Sequence, residues 1–175
     1  METQTVPLTG YSYVDSFIPP SGQMWASNGD EPAVITYSFP VFGGGAFSSS
    51  FSGGPYLDTY SARDEPSAQN VASLNAGQKE SFRQALQTWS DVANIEFQEV
   101  FLDWGSSAGV IRVAFSSSVN AESENVDAST YLPNSWTPNG GDIWIAHDLS
   151  LESFDQGTNN FSTLVHEIGH ALGLY

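Results

Sequence analysis

The sequence predicts an α/β domain in which helices pack against a sheet. Three observations predict it. Short runs of β-branched and aromatic residues recur along the chain, several of them alternating. Two longer segments repeat apolar residues at helical spacing. The order is strand, helix, strands, helix, so each helix must bury its apolar stripe on the sheet. At 175 residues, 40% hydrophobic and 13% aromatic, the chain carries enough apolar surface for a packed core.

Residues 1–32 read as an arm or propeptide-like segment. Pro7, Gly10, Pro19, Pro20, Gly22, Gly29 and Pro32 interrupt any long regular element. Tyr11, Tyr13, Phe17 and Trp25 give this arm side chains suited to packing on the neighbouring domain, residues 33–175. Ala33–Phe39 is the first strand of that domain, with Ile35, Tyr37 and Phe39 on one face. The low-complexity stretch 43–55 reads as a flexible loop. Asn75 to Ala93 is a helix: Phe82, Leu86, Trp89 and Ala93 form one stripe, and Asn75 with Gln78 makes a capping box. Trp89 belongs to that stripe and reads as core. Ile95–Phe101 and Val110–Phe115 are strands, and Ser116–Asp127 is a polar surface loop. Ala128–Leu132 is a short edge strand stopped by Pro133, and Gly141–Ala146 is a strand after an Asn-Gly-Gly turn. The last helix, Asn160–Leu172, buries Phe161, Leu164, Val165, Ile168 and Leu172. No internal repeat occurs.

Composition narrows the function. Four basic against 20 acidic residues give a net charge of −16, which repels phosphate backbones and anionic lipid. Nucleic acid and membrane surfaces are therefore not expected partners. The absence of cysteine excludes disulfides, thiolate metal sites and cysteine nucleophiles. No apolar run reaches the ~18 residues of a membrane span. Met1–Thr9 lacks the basic and apolar regions of a signal peptide, so none is expected. Arg63, Lys79, Arg83 and Arg112 are too scattered for an anion clamp, and neither G-x-S-x-G nor a P-loop occurs.

The last helix carries His166-Glu167-Ile168-Gly169-His170. Residues i and i+4 lie one above the other on a helix, so both imidazoles can share one tetrahedral Zn²⁺. Glu167, rotated about 100° from His166, stands beside the metal and can move a proton there. At this composition chance would place the pattern in only about two such chains per thousand. The histidines also lie off the apolar stripe. His147, Asp148 and Asp155 are the upstream alternatives for a third ligand, although His147 reads first as a loop residue. No D-x-D-x-D-G calcium loop is present.

The motif continues as His170-Ala-Leu-Gly173, and in this form it resembles the metzincin signature H-E-x-x-H-x-x-G-x-x-H up to its glycine. Ala85-Leu-Gln-Thr-Trp-Ser-Asp-Val-Ala-Asn-Ile-Glu-Phe-Gln-Glu-Val100, Val34–Phe39, Gly141–Ile145 and Thr163–Leu174 resemble the serralysin branch of that group. The likeness covers about residues 33–174. It implies the N-terminal subdomain of a zincin catalytic domain: a twisted mixed sheet of about five strands, two main helices, and the zinc helix last. It further implies a zinc-dependent metalloendopeptidase with His166 and His170 as ligands, Glu167 as general base, and Ala128, Ser129, Thr130, Tyr131 and Leu132 as the substrate-binding strand. Protein or peptide substrates, a proteinaceous inhibitor, Ca²⁺ in the full-length protein and an extracellular location come with the resemblance. The third histidine, Met-turn, C-terminal subdomain and glycine-rich calcium repeats do not occur in these residues. The alternative is therefore a catalytically inactive truncated fragment or binding module with a two-histidine zinc site. A gluzincin-type site, with a later glutamate as third ligand, fits less well with Gly173.

Overall fold

A computed structural model describes residues 2–8, 10–18, 22–26, 31–39, 72–101, 109–117, 119, 126–134 and 139–175. Its elements are β1 (Thr3–Thr5), α1 (Ser12–Asp15), β2 (Gln23–Trp25), β3 (Ala33–Ser38), α2 (Ala76–Ser90), β4 (Ile95–Glu99), β5 (Ile111–Ser116), β6 (Ala128–Thr130), β7 (Ile143–Ala146), a 3-10 turn (His147–Leu151) and α3 (Asn159–Leu172). The main sheet has five strands in the order β4-β3-β5-β7-β6. β3 runs parallel to β4 and β5, β5 runs parallel to β7, and β6 alone is antiparallel, on β7. This is the mixed sheet of five strands with two main helices that the resemblance implies.

β5 and β7 are buried along their whole length because both faces of the sheet are covered. On one face Ile111, Val113, Phe115, Ile143 and Ile145 meet Phe82, Ala85 and Leu86 of α2 and Leu164, Ile168 and Ala171 of α3. On the other, Ala114, Trp144 and Ala146 pack with Val119, Val126 and Tyr131. The stretch expected to be a polar surface loop thus supplies part of the second core through Val119 and Val126. The low-complexity segment 43–55 lies outside the described residues.

α2 begins as its capping box requires. Gln78 N–H donates to Asn75 Oδ1 and Asn75 N–H donates to Gln78 Oε1, each at 2.9 Å. The Gln78 amide also donates to the carbonyls of Ser150 and Glu152, which ties the 3-10 turn to the helix start. The helix stops at Ser90, short of the predicted Ala93. Asp91 caps it, and the next residues turn down into β4, where Ala33 N–H bonds the Asn94 carbonyl at 3.0 Å.

The N-terminal arm is more ordered than its punctuation predicts. β1 and β2 pair antiparallel, Thr3 opposite Trp25. Strands of three residues leave no periodicity to read. Trp25 is 6% exposed and belongs to the main core, whereas Tyr11 and Phe17 remain exposed.

Candidate metal centre

Local signals set both ends of α3. Thr158 Oγ1 caps the start, accepting from Phe161 N–H at 3.1 Å. At the other end Gly173 adopts φ +105°, a left-handed conformation suited to glycine. Leu174 N–H and Gly173 N–H then close on the carbonyls of Gly169 and His170, both at 2.9 Å. The arm clasps this turn: the Trp25 indole N–H donates to Ala171 O at 2.8 Å, and Tyr175 N–H donates to Phe17 O at 2.9 Å. Behind the helix, Trp89 donates to Val165 O at 3.0 Å. Its ring passes so close that a Cβ on Gly169 would meet it at 3.0 Å, which accounts for glycine inside the motif.

With Leu164, Ile168, Ala171 and Leu172 buried in the core, His166 and His170 face outward together. Their Nε2 atoms are 3.0 Å apart. His170 Nδ1 lies 2.8 Å from Leu174 O. A carbonyl has no proton to give, so Nδ1 carries the hydrogen and Nε2 is the ring nitrogen left to meet a metal. Two Zn–N bonds of about 2.0–2.1 Å at a tetrahedral angle need nitrogens roughly 3.3 Å apart. A slight opening of the pair reaches that spacing, so the donor set fits zinc.

Glu167, 6% exposed, points toward β6. Its Oε2 accepts a hydrogen bond from Thr130 Oγ1 at 2.6 Å. The candidate ligand atoms of His166, Glu167 and His170 lie within 4.8 Å of one another, the one such group among the described residues. His147, Asp148 and Asp155 do not join it: the first two lie on the 3-10 turn and the third in the loop before α3.

β6 is the antiparallel edge strand expected from the sequence, with Ala128 opposite Ile145, Ser129 opposite Trp144 and Thr130 opposite Ile143. Asp127 and Tyr131 direct backbone bonds inward, to Ala146 and to Asp142 and Gly141. By antiparallel alternation Ala128 and Thr130 turn their N–H and C=O groups to the other side. Among the described residues no strand pairs with that side. Tyr131 and Leu132 continue past the strand, both half-buried.

Sequence reasoning missed two polar contacts that frame this region. One is the Thr130 hydroxyl on Glu167, signalled only by a hydroxyl residue on the inner face of a short strand. The other is a buried ion pair in which Arg112 Nε and Nη2 donate to Asp142 Oδ1 and Oδ2 at 2.9 and 2.8 Å. Its signal was one cation within an apolar strand and one Asp at the start of the next.

A two-histidine helix turned by a left-handed glycine, beneath the antiparallel edge of a mixed sheet, is the architecture of a metzincin-type metal centre. Residues 58–175 match the family model described as matrixin, peptidase family M10, and the chain belongs to that family of metalloproteases. Serralysin from Proteus mirabilis is 28% identical across 98% of this chain and 34% of its own length. Serralysin A from Dickeya chrysanthemi is 35% identical across 65% of this chain and 24% of its own. Interstitial collagenase A from Mus musculus is 29% identical across 55% and 21%. The chain thus spans no more than about a third of the length of these relatives.

Proposed function

We propose that this chain carries the zinc-binding helix and substrate strand of a metalloendopeptidase that hydrolyses internal peptide bonds of proteins. The carrying observation is the convergence of His166 and His170, with Nε2 atoms 3.0 Å apart beside the buried Glu167. His166 and His170 are the zinc ligands of this reading.

Bound there, zinc supplies a Lewis acid that makes water a nucleophile near neutral pH and polarises the scissile carbonyl. Glu167 accepts the proton of the attacking water and passes it to the departing amine. Leu174 O orients the His170 ring through Nδ1–H. An extended peptide adds to the open side of β6 through the backbones of Ala128 and Thr130. Ser129, Tyr131 and Leu132 flank it. Such β-augmentation makes little demand on substrate sequence. The reading extends to an extracellular setting, calcium elsewhere in a longer protein and a proteinaceous inhibitor. The described N-terminal residues act in it as a packed arm, which the burial of Trp25 and its bond to Ala171 support.

Glu167→Ala should keep zinc by metal analysis while losing cleavage of a denatured protein substrate. Unchanged turnover would remove Glu167 from its role. His166→Ala or His170→Ala should release the metal, and full retention would place the ligands elsewhere. Stoichiometric zinc without cleavage in the parent protein would favour the binding-module alternative.

A further inference from the structure

We infer that Thr130 is a positioning residue for the general base, holding the Glu167 carboxylate in its working orientation through the side-chain hydroxyl. The inference rests on the peptidase reading of this site.

Glutamate on a helix has three rotatable side-chain bonds and no local partner that fixes its carboxylate. Here Glu167 is 6% exposed, so water supplies little of that restraint. Thr130 Oγ1 lies 2.6 Å from Glu167 Oε2, within the range of a charge-assisted hydrogen bond. A carboxylate has no hydrogen to give, so the threonine donates. With Oε2 engaged, Oε1 is the oxygen left to exchange protons.

The placement of Thr130 gives the contact a second consequence. On β6 the side chains of Ala128 and Thr130 share the inner face, and Ala128 is part of the core beneath the sheet. The Thr130 backbone meanwhile turns its N–H and C=O to the open edge. One residue therefore reaches a docked peptide with its main chain and the base with its side chain. The peptide and the proton acceptor are located relative to each other through a single Cα.

Threonine and valine have nearly the same shape and both favour strands, so Thr130→Val removes the hydroxyl and little else. In the zinc-loaded protein, kcat should fall about 10–100-fold, as for other groups that orient a metal-site residue, with KM unchanged. Thr130→Ser, which keeps the hydroxyl, should restore most of the loss. Unchanged kcat in the valine variant, or a serine variant as slow as the valine one, would overturn the inference. A second measurement needs neither metal nor turnover. In metal-free protein, Thr130→Val should lower the urea midpoint in the Glu167 parent and leave it nearly unmoved in a Glu167→Ala background. Equal shifts in both backgrounds would refute the contact. If the parent cleaves no protein at all, the peptidase reading fails, and the urea cycle still reports whether hydroxyl and carboxylate are coupled.

Discussion

Replacing Gly173 with alanine should destabilise the protein in two separable ways. The backbone there sits at φ +105°, and an L-residue in a left-handed conformation costs about 1–2 kcal/mol. An added Cβ would also meet Gln23 O and Met24 Cβ of β2, each at 2.9 Å. Those atoms belong to a paired strand and cannot swing aside like the end of a flexible side chain. Overpacking of this kind costs about 1–3 kcal/mol, so the sum is about 2–5 kcal/mol. Gly157 supplies the internal control. It has φ +93° and nothing within 4 Å of its would-be Cβ. Gly157→Ala should therefore carry only the backbone cost of about 1–2 kcal/mol. Urea unfolding of metal-free protein, followed by tryptophan fluorescence at 25 °C, measures both. Equal losses for the two variants would mean that the arm does not press on the helix end. A loss below about 1 kcal/mol at Gly173 would refute the left-handed turn itself.

Asp142→Ala should cost about 3–5 kcal/mol, because it removes the carboxylate to which Arg112 Nε and Nη2 donate in the core, and an Arg112→Met/Asp142→Leu double variant should recover most of that. Urea midpoints of the three variants check it; a double variant as unstable as the single would contradict it. The α2–β4 junction should give stability a dependence on acid. Hydrogen bonds from Arg83 hold the Glu99 carboxyl below its ordinary value of 4.5. A depressed carboxyl stabilises the folded state above its unfolded value, so that contribution fades as pH falls below 4.5. Arg83→Met should flatten the acid limb of a plot of melting temperature against pH; an unaltered limb would exclude the pair as its source. On the alkaline side, burial and then the Glu99 charge push Tyr37 up from 10.0 to about 12. Its raised value protects the fold below pH 10, and that protection is lost on the way to 12, so Tyr37→Phe should remove this part of the alkaline loss. An identical alkaline limb in the variant would rule it out.

What the sequence makes legible is local or periodic. The Asn75–Gln78 capping box, the apolar stripe of α3 and the alternation of β3 are each written within one element, and all three are present. The His166–His170 pair belongs to the same class, because helix geometry alone brings i and i+4 together. What stays hidden depends on partners far along the chain. β1 and β2 are too short to announce themselves and become visible only through pairing across some twenty residues. Arg112 alternates outward on β5 as a surface residue would, until Val119 and Val126 cover that face and make the Asp142 partner necessary. Strand type and resemblance bring out only the Thr130 backbone, while its side-chain contact depends on how α3 lies beneath β6.

The clasp between Trp25 and Ala171 also sets an order of assembly. The bond joins residues 146 positions apart, so its donor leaves the ribosome long before its acceptor exists. The two histidines need only their own helix turn to come together, whereas the Trp25–Ala171 and Tyr175–Phe17 bonds must wait for the N-terminal residues to fold back onto the helix end. Loops that long close late in folding. The pairing of the two histidines and the clasp on the helix end are therefore acquired at different times. Pulse-labelled amide exchange should show Tyr175, whose N–H bonds Phe17 O, gaining protection after the helix centre, and simultaneous protection would contradict this sequence of events.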